Sequence, residues 1–364
     1  MKKVTVGFIG CGNISSIYLK NLLQEEHIFV KACADMEQER AISQAEKFSI
    51  PAACSVPELL ADPDIDIVVN LTIPQAHAAV SLQALQHGKH VYLEKPLGIA
   101  TEEASEVIRT AKEKGLRVAC APETFMGGGI QTCLQLIDND AIGQPVAAAA
   151  FMMGRGHEHW HPNPEFYYQT GGGPLFDMGP YYLTALVQLL GPIQSISASA
   201  KITFPQRTIL SEPKKGEIIQ VETPTHVSST LDFHQGATAT MVMSFDVMAG
   251  HSLPNIEIYG TKGTLQVPDP NNFSGTIRLK KTGDKEWTDI PVSHAYTDNC
   301  RGIGVKDLAY AILNEREHRA SGEMAFHVLE AMEGCLVSAK EHKSYVMQST
   351  CSKPAPVPKD GIVS

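Results

Sequence analysis

The chain has no apolar run long enough to span a bilayer. Its longest hydrophobic stretches are strand-sized and broken by Asp, Asn or Gly. Basic runs are also missing, and 40 acidic side chains against 30 basic ones leave a formal charge of -10. Such a surface suits neither a nucleic-acid backbone nor an anionic membrane, so neither is expected as a partner. The eight cysteines (Cys11, Cys33, Cys54, Cys120, Cys133, Cys300, Cys335, Cys351) contain no CxxC pair. Scattered in this way they read as free thiols of a reducing compartment, and a cytoplasmic location is expected. Two lysines before an apolar run at the start imitate a secretory leader. That run is short and passes into glycines, so it reads as a strand feeding a turn.

What is present is an ordinary globular composition, 43% hydrophobic and 19% charged over 364 residues, too long for one core. The first third alternates continuous apolar strands ("VTVGFIG", "FVKACAD", "DIDIVVNLT", "HVYLEK", "LRVACA") with amphipathic helices. Strands apolar on both faces belong to a parallel sheet covered by helices, here an α/β Rossmann-type doubly wound sheet. Beyond Pro122 the texture changes to long β-type runs with partial two-residue alternation and Gly/Asn/Asp turns. This predicts an α+β domain with a large open, mostly antiparallel sheet. Helices are expected at Gly179 to Leu190, Gly304 to Asn314 and Glu323 to Lys340. The expected boundaries are 1–123, 124–348, and a loose Pro/Ser-rich tail over 349–364.

At the first strand-to-helix junction, "GFIGCGNISS" supplies Gly10 for a tight turn and Gly12 for close approach of a pyrophosphate. Asn13 and Ile14 open the following helix, and Ser15 stands where the fingerprint has Gly or Ala. The second strand ends in Asp35, placed to bind ribose hydroxyls or to cap a helix. A carboxylate there repels a 2′-phosphate, which favours NAD over NADP. Arg40 lies one helical turn further on, and Thr72 and Pro74 end the third long strand, where a dinucleotide would cross.

"YLEKPL" ends a buried strand with Glu94 and Lys95. Charged residues at the carboxyl end of a parallel strand lie where ligands bind, and a lysine there can polarise a substrate oxygen. A surface ion pair closing the strand is the plainer account. A second motif, "GGGPLFDMGPYY" at Gly171 to Tyr182, is either a glycine-rich turn between domains or the place where a proton is moved; the resemblance given next implies the latter, with glycines that admit substrate close to the backbone and Asp177 aimed at it.

Together with "TIPQAH" (Thr72 to His77), "GKHVYLEKPLG" (Gly88 to Gly98), "YGTKGTL" (Tyr259 to Leu265) and "RASGEMAFHVLEAME" (Arg319 to Glu333), these motifs cover almost the whole chain in order. In them the sequence resembles the glucose–fructose oxidoreductase / inositol dehydrogenase / rhizopine-catabolism (Gfo/Idh/MocA) family of nicotinamide oxidoreductases. The resemblance implies that Lys95 contacts the substrate hydroxyl and nicotinamide region, with Glu94 and His77 supporting that end. It implies that Asp177 orients substrate or its basic partner. The family pattern then places a catalytic histidine four residues later, where this chain has Tyr181.

The departure matters because histidine titrates near neutrality, whereas a phenol has a reference pKa of about 10. A tyrosine is a serviceable acid for carbonyl reduction and needs a neighbouring cation, such as Lys95, to act as a base. Tyr181 is either that proton carrier or a packing aromatic. Upstream, "GRGHEHWHPNPEFYYQTGG" alternates His157, His159 and His161 with Glu158 and Trp160. His-x-His occurs in zinc sites, but the Gly/Pro-rich setting and the lack of a remote ligand argue against a metal. The segment reads instead as a wall over a sugar pocket. His159 or His161 is the alternative to Tyr181 as stand-in for the missing histidine, Trp160 could stack on a sugar face, and Arg155 or Asn163 could bind hydroxyls.

The expected function is NAD-dependent hydride transfer at a secondary alcohol or ketone of a sugar, cyclitol or related polyol. Lys95, Asp177 and Tyr181 are its catalytic candidates. Two alternatives remain open at this level. One is a non-catalytic nucleotide- or sugar-binding regulator; the other is a dihydrodiol- or biliverdin-type reductase or NAD-dependent glycosidase on the same scaffold. The resemblance further implies a homodimer or homotetramer formed through the open sheet of the second domain.

Overall fold

The computed structural model describes residues 3–363, which fall into two units. The first comprises residues up to Gly128, His294–Leu329 and Pro354 onward; the second comprises Gly129–Ser293 and Glu330–Lys353.

The first unit is built on strands β1 (Val4–Ile9), β2 (Ile28–Ala34), β3 (Ala52–Ala53), β4 (Ile67–Asn70), β5 (His90–Leu93) and β6 (Val118–Cys120). They form one six-stranded sheet in the order β3-β2-β1-β4-β5-β6, and every pairing in it is parallel. This is the doubly wound dinucleotide order, with its switch point between β1 and β4. Residues of β4 are buried without exception, as a central strand covered on both faces requires. Helices α1 (Ser15–Leu22), α2 (Gln38–Phe48), α3 (Val56–Ala61), α4 (Pro74–Gln86) and α5 (Thr101–Glu113) connect the strands. Two of these starts have plain local causes. Pro74 opens α4, where a missing N–H costs nothing, and Ser55 and Glu58 close a capping box on α3.

Helix α6 (Gly128–Asp138) leads into the second unit, whose strands are β7 (Pro145–Met153), β8 (Ile193–Lys201), β9 (Gln206–Thr208), β10 (Ile218–Gln220), β11 (His226–Phe233), β12 (Thr238–Ser244), β13 (Ile256–Gly260), β14 (Gly263–Val267), β15 (Ile277–Lys281), β16 (Thr288–Ile290) and β17 (Tyr345–Val346). Nine of them form a sheet ordered β16-β15-β14-β13-β7-β12-β11-β8-β17, and β9 pairs with β10 apart from it. The large sheet is antiparallel except where β12 runs parallel to β7. Helix α7 (Gly173–Leu190) belongs to this unit; α8 (Ile303–Leu313) and α9 (Gly322–Glu341) follow late in the chain.

Two expectations give way here. Helix α7 starts at Gly173 rather than Gly179, with Pro174 in its first turn and Pro180 in its interior. An interior proline forfeits a backbone hydrogen bond. The helix persists because nearly its whole length is buried, including Leu175, Phe176, Leu183, Leu186 and Leu190, so apolar burial outweighs the local cost. The tail is not loose over its described length. Arg319 donates to the carbonyls of Ala355 and Pro356, both at 3.0 Å, and Ile362 N–H donates to the Tyr296 hydroxyl at 2.8 Å. Val357 and Ile362 are buried. Pro/Ser richness removed helix and strand from the tail without removing its apolar anchors. The first unit likewise takes in two late segments that a linear division at residue 123 leaves out.

All eight cysteines are free thiols. Among the described residues, no helix is long and apolar enough to cross a membrane.

Candidate active site

In the first unit the parallel sheet brings its strand ends to one edge. Gly10 follows β1 with φ of 98°, a conformation that favours glycine, and a Cβ there would lie 2.6 Å from the backbone of Leu71. Gly12 differs: a Cβ built on it meets nothing within 4 Å. The loop is thus closed against protein at Gly10 and open at Gly12, the arrangement a pyrophosphate approaching the backbone needs. Asn13 is exposed, Ile14 is half-buried, and the Ser15 hydroxyl donates to Gly12 O at 2.7 Å, pinning the turn from inside. That bond gives Ser15 a use that Gly or Ala could not have.

Asp35 stands at the end of β2. One carboxylate oxygen accepts the Cys11 N–H at 2.7 Å and the other accepts the Glu37 N–H at 2.9 Å. The residue therefore links the Gly-rich loop to the turn before α2 and holds an anionic group at the edge where a ribose would lie. Arg40 is exposed on α2 and pairs with Glu37 at 2.9 Å. Past β4, the hydroxyl of Thr72 donates to Asn70 at 2.6 Å. The buried His77 bridges the carbonyls of Thr72 (3.0 Å) and Pro96 (2.6 Å), tying the ends of β4 and β5 together. Burial holds the His77 ring below the usual histidine range, against the two carbonyls, which favour its charged form.

Lys95 is half-buried beyond β5, and its N–H donates to the Glu94 carboxylate at 3.0 Å. The other Glu94 oxygen accepts the Tyr18 hydroxyl at 2.8 Å. Glu94 is thereby oriented by the motif itself and by α1, and is more than the partner in a surface ion pair.

In the second unit α7 carries both Asp177 and Tyr181, one turn apart. Asp177 Oδ2 lies 3.0 Å from His157 Nε2, with the two side chains 18% and 19% exposed. His157 packs its ring against Tyr167 and Phe245, with centroids 4.0 and 4.7 Å away, and its Nδ1 accepts the indole N–H of Trp160 at 3.3 Å. Tyr181 is 9% exposed. The neighbouring Tyr182 is a packing residue: its hydroxyl donates to Phe151 O and accepts from Asn255.

The loop bearing these histidines is held by a buried ion network. Arg207 pairs with Glu158 at 2.7 Å and with Asp246, and donates to the carbonyls of Arg155 and Phe245. Glu158 also accepts the Tyr168 hydroxyl, and that hydroxyl accepts the His157 N–H at 3.1 Å. A buried charge needs ion pairs of this kind to be tolerated, and the pairing fixes the loop's path. Tyr168 and Phe245 with Ile209 and Ile219 form an apolar cluster beneath it.

Of the three loop histidines, the structure sets His157 against Asp177, not the His159 or His161 that the sequence offered as alternatives to Tyr181. His159 turns inward: its Nδ1 is buried without a hydrogen-bond partner, and burial holds its ring below the usual range. His161 accepts the Asn163 N–H and packs edge-on against Trp160, Phe166 and Tyr167. The imidazole that reaches Asp177 is His157. Arg155 is exposed, with its carbonyl on Arg207, and Trp160 is 55% exposed. The glycine run also differs from expectation. A Cβ on Gly172 would lie 2.5 Å from Phe166 O, and one on Gly173 would lie 2.8 Å from Pro224 O. These two glycines make room for the protein's own backbone. No group of three or more His, Cys, Asp or Glu able to hold a metal ion occurs among the described residues.

A switch-point sheet with a Gly-x-Gly loop after its first strand and an aspartate after its second is the architecture of a dinucleotide-binding domain. Residues 4–121 match the oxidoreductase family with an NAD-binding Rossmann fold, and residues 130–266 match the GFO/IDH/MocA C-terminal domain. The chain belongs to the Gfo/Idh/MocA oxidoreductase family, and NAD is the cofactor its first unit is built for.

Trans-1,2-dihydrobenzene-1,2-diol dehydrogenase of Bos taurus is 27% identical over 91% of this chain and 93% of its own length. Myo-inositol 2-dehydrogenase of Thermotoga maritima is 23% identical over 71% and 74%. Among solved structures, levoglucosan dehydrogenase in complex with NADH and L-sorbose superposes with a TM-score of 0.82 at 19% identity, covering 96% of this chain and all of that one (100%).

Proposed function

We propose that this protein is an NAD-dependent dehydrogenase of a ring secondary alcohol in a cyclic polyol or sugar. The observation that carries the reading is the Asp177–Tyr181 pair on one face of α7, with Asp177 already bound to an imidazole at 3.0 Å. The three relatives are named for a cyclitol, a ring diol and an anhydrosugar. A ring secondary alcohol beside a second oxygen is the chemistry these substrates share.

Gly10, Gly12, Asn13 and Ile14 would hold the pyrophosphate side of NAD, Asp35 its ribose, and Thr72, Pro74 and Glu94 the stretch beyond. When bound, NAD supplies the acceptor for the hydrogen leaving the carbinol carbon. The residues of the chain handle the oxygen and its proton. Lys95 polarises the oxygen as charge develops on it. Tyr181 carries the proton, accepting it in alcohol oxidation and donating it in carbonyl reduction. Asp177 fixes the hydroxyl orientation, and Trp160 offers an exposed ring for the sugar face.

A screen of NAD and NADP against cyclitols, hexoses, sugar acids and simple glycosides, followed by nicotinamide absorbance, tests the reading. NAD-linked turnover of a cyclic polyol is expected, with Lys95→Met reducing kcat by about a hundredfold or more. Unchanged turnover in Lys95→Met would overturn the role of Lys95. Equal rates for Tyr181→Phe and parent across pH would remove Tyr181 from the chemistry. Turnover without net nicotinamide reduction would point instead to glycoside cleavage.

A further inference from the structure

The site holds an imidazole that the family pattern does not provide for, and its hydrogen bonds decide which nitrogen carries the proton. An indole N–H can only donate. Because Trp160 Nε1 stands 3.3 Å from His157 Nδ1, that nitrogen must present a lone pair. The ring N–H of neutral His157 is then on Nε2, 3.0 Å from the Asp177 carboxylate, which can only accept. The chain of donors runs one way, from Trp160 through His157 to Asp177.

We propose that His157 is the positioning residue for Asp177 and that Trp160 locks its tautomer, a loop-borne pair replacing the histidine absent at position 181. The proposal rests on the dehydrogenase reading for its consequence and on the second unit alone for its geometry. Side chains elsewhere in the loop serve the same end. Tyr167 and Phe245 flank the ring, and the hydroxyl of Tyr168, bound to the Arg207-paired Glu158, accepts the backbone N–H of His157. With its position and tautomer set, His157 can only donate to Asp177. The pair orients the Asp177 carboxylate, and proton transfer falls to Tyr181. Trp160 thus has a polar function besides any stacking, and that function resides in its N–H.

Nitrogen NMR of the full-length protein labelled with 15N-histidine tests the lock without substrate, with the His157 resonances assigned by their loss in His157→Gln. The expected result near neutral pH is the Nε2–H tautomer, with an Nδ1 resonance that moves in Trp160→Phe. An Nδ1–H tautomer, or a doubly protonated ring, would overturn the proposal.

The kinetic arm uses the substrate found by the screen. Trp160→Phe keeps a ring and loses the N–H, so kcat should fall by about fivefold to tenfold with KM nearly unchanged. His157→Ala should cost about a hundredfold, the upper range for loss of an orienting partner, and His157→Gln, which restores an N–H near the Nε2 position, should recover part of it. If Trp160→Phe is silent and Trp160→Ala raises KM alone, Trp160 is only a stacking wall and the proposal fails. If the tautomer is as expected and no polyol is turned over, the lock stands and the dehydrogenase reading is what fails.

Discussion

His157 Nε2 and Asp177 Oδ2 stand 3.0 Å apart, although twenty residues and a change from loop to helix separate them in the chain. The pair sets beside α7 an imidazole that the helix's own sequence lacks.

Asp177→Asn keeps an acceptor oxygen for His157 and removes the charge. We expect kcat to fall by about a hundredfold, with the melting temperature within a degree or two of the parent. Steady-state kinetics paired with a thermal melt check this. A parent-like kcat would deny Asp177 its orienting role.

The two loop glycines should behave oppositely. Gly10→Ala drives a Cβ into the Leu71 backbone at a positive φ, so lowered stability and lost NAD binding are expected together. Gly12→Ala meets no protein atom, so its melting temperature should hold while NAD affinity drops by about tenfold or more. Calorimetric titration beside thermal melts separates the two. Unaltered affinity in Gly12→Ala would mean that the pyrophosphate does not approach there.

Asp35→Ser removes the charge that repels a 2′-phosphate and keeps a small hydrogen-bonding group. The ratio of NAD to NADP affinity should fall by about tenfold or more. The variant should also lose some stability, because Asp35 accepts the N–H groups of Cys11 and Glu37. Affinities for both nucleotides decide it, and an unchanged ratio would refute the discrimination.

Arg207→Met leaves Glu158 and Asp246 buried without their cation. Breaking such a network costs about 3–5 kcal/mol, which denaturant melts would register. The His157 loop should loosen, seen as faster amide exchange around residues 155–161. Parent-like stability would show the network to be dispensable.

Glu330 ties the segment after β17 to α9. Burial alone would raise its pKa, but hydrogen bonds from Ser349, Gln348 and Tyr345 hold the carboxyl below the usual range. A depressed folded value stabilises the protein above the unfolded pKa of about 4.3 and loses that contribution as pH falls through the folded value. Glu330→Gln should therefore melt about 3 °C or more below the parent at pH 7, with the gap closing below about pH 4. A gap independent of pH would exclude this linkage.

The nucleotide end was legible because its signals are local and chained. Gly10, Gly12 and Asp35 belong to one strand–turn–helix–strand unit, and parallel pairing of β1 with β2 obliges their ends to meet. The start of α7 was misjudged because glycines and Pro180 are turn formers in isolation, while burial along the helix is a property of the whole unit. The tail was misread for the same reason: composition reports propensity and says nothing of where Val357 and Ile362 are buried.

The sequence alone determined the order of elements, the parallel and mostly antiparallel sheets, and the residues that could bind a dinucleotide. Periodicity and turn chemistry are encoded within a few positions. The choice among His157, His159 and His161 was made by tertiary structure. Alternate residues of an irregular loop have no periodic face, and their directions follow from the buried Arg207–Glu158–Tyr168 network that anchors the backbone between them. Only when β9, β12 and α7 bring Arg207, the Phe245 segment and Asp177 to that loop does one imidazole reach the carboxylate.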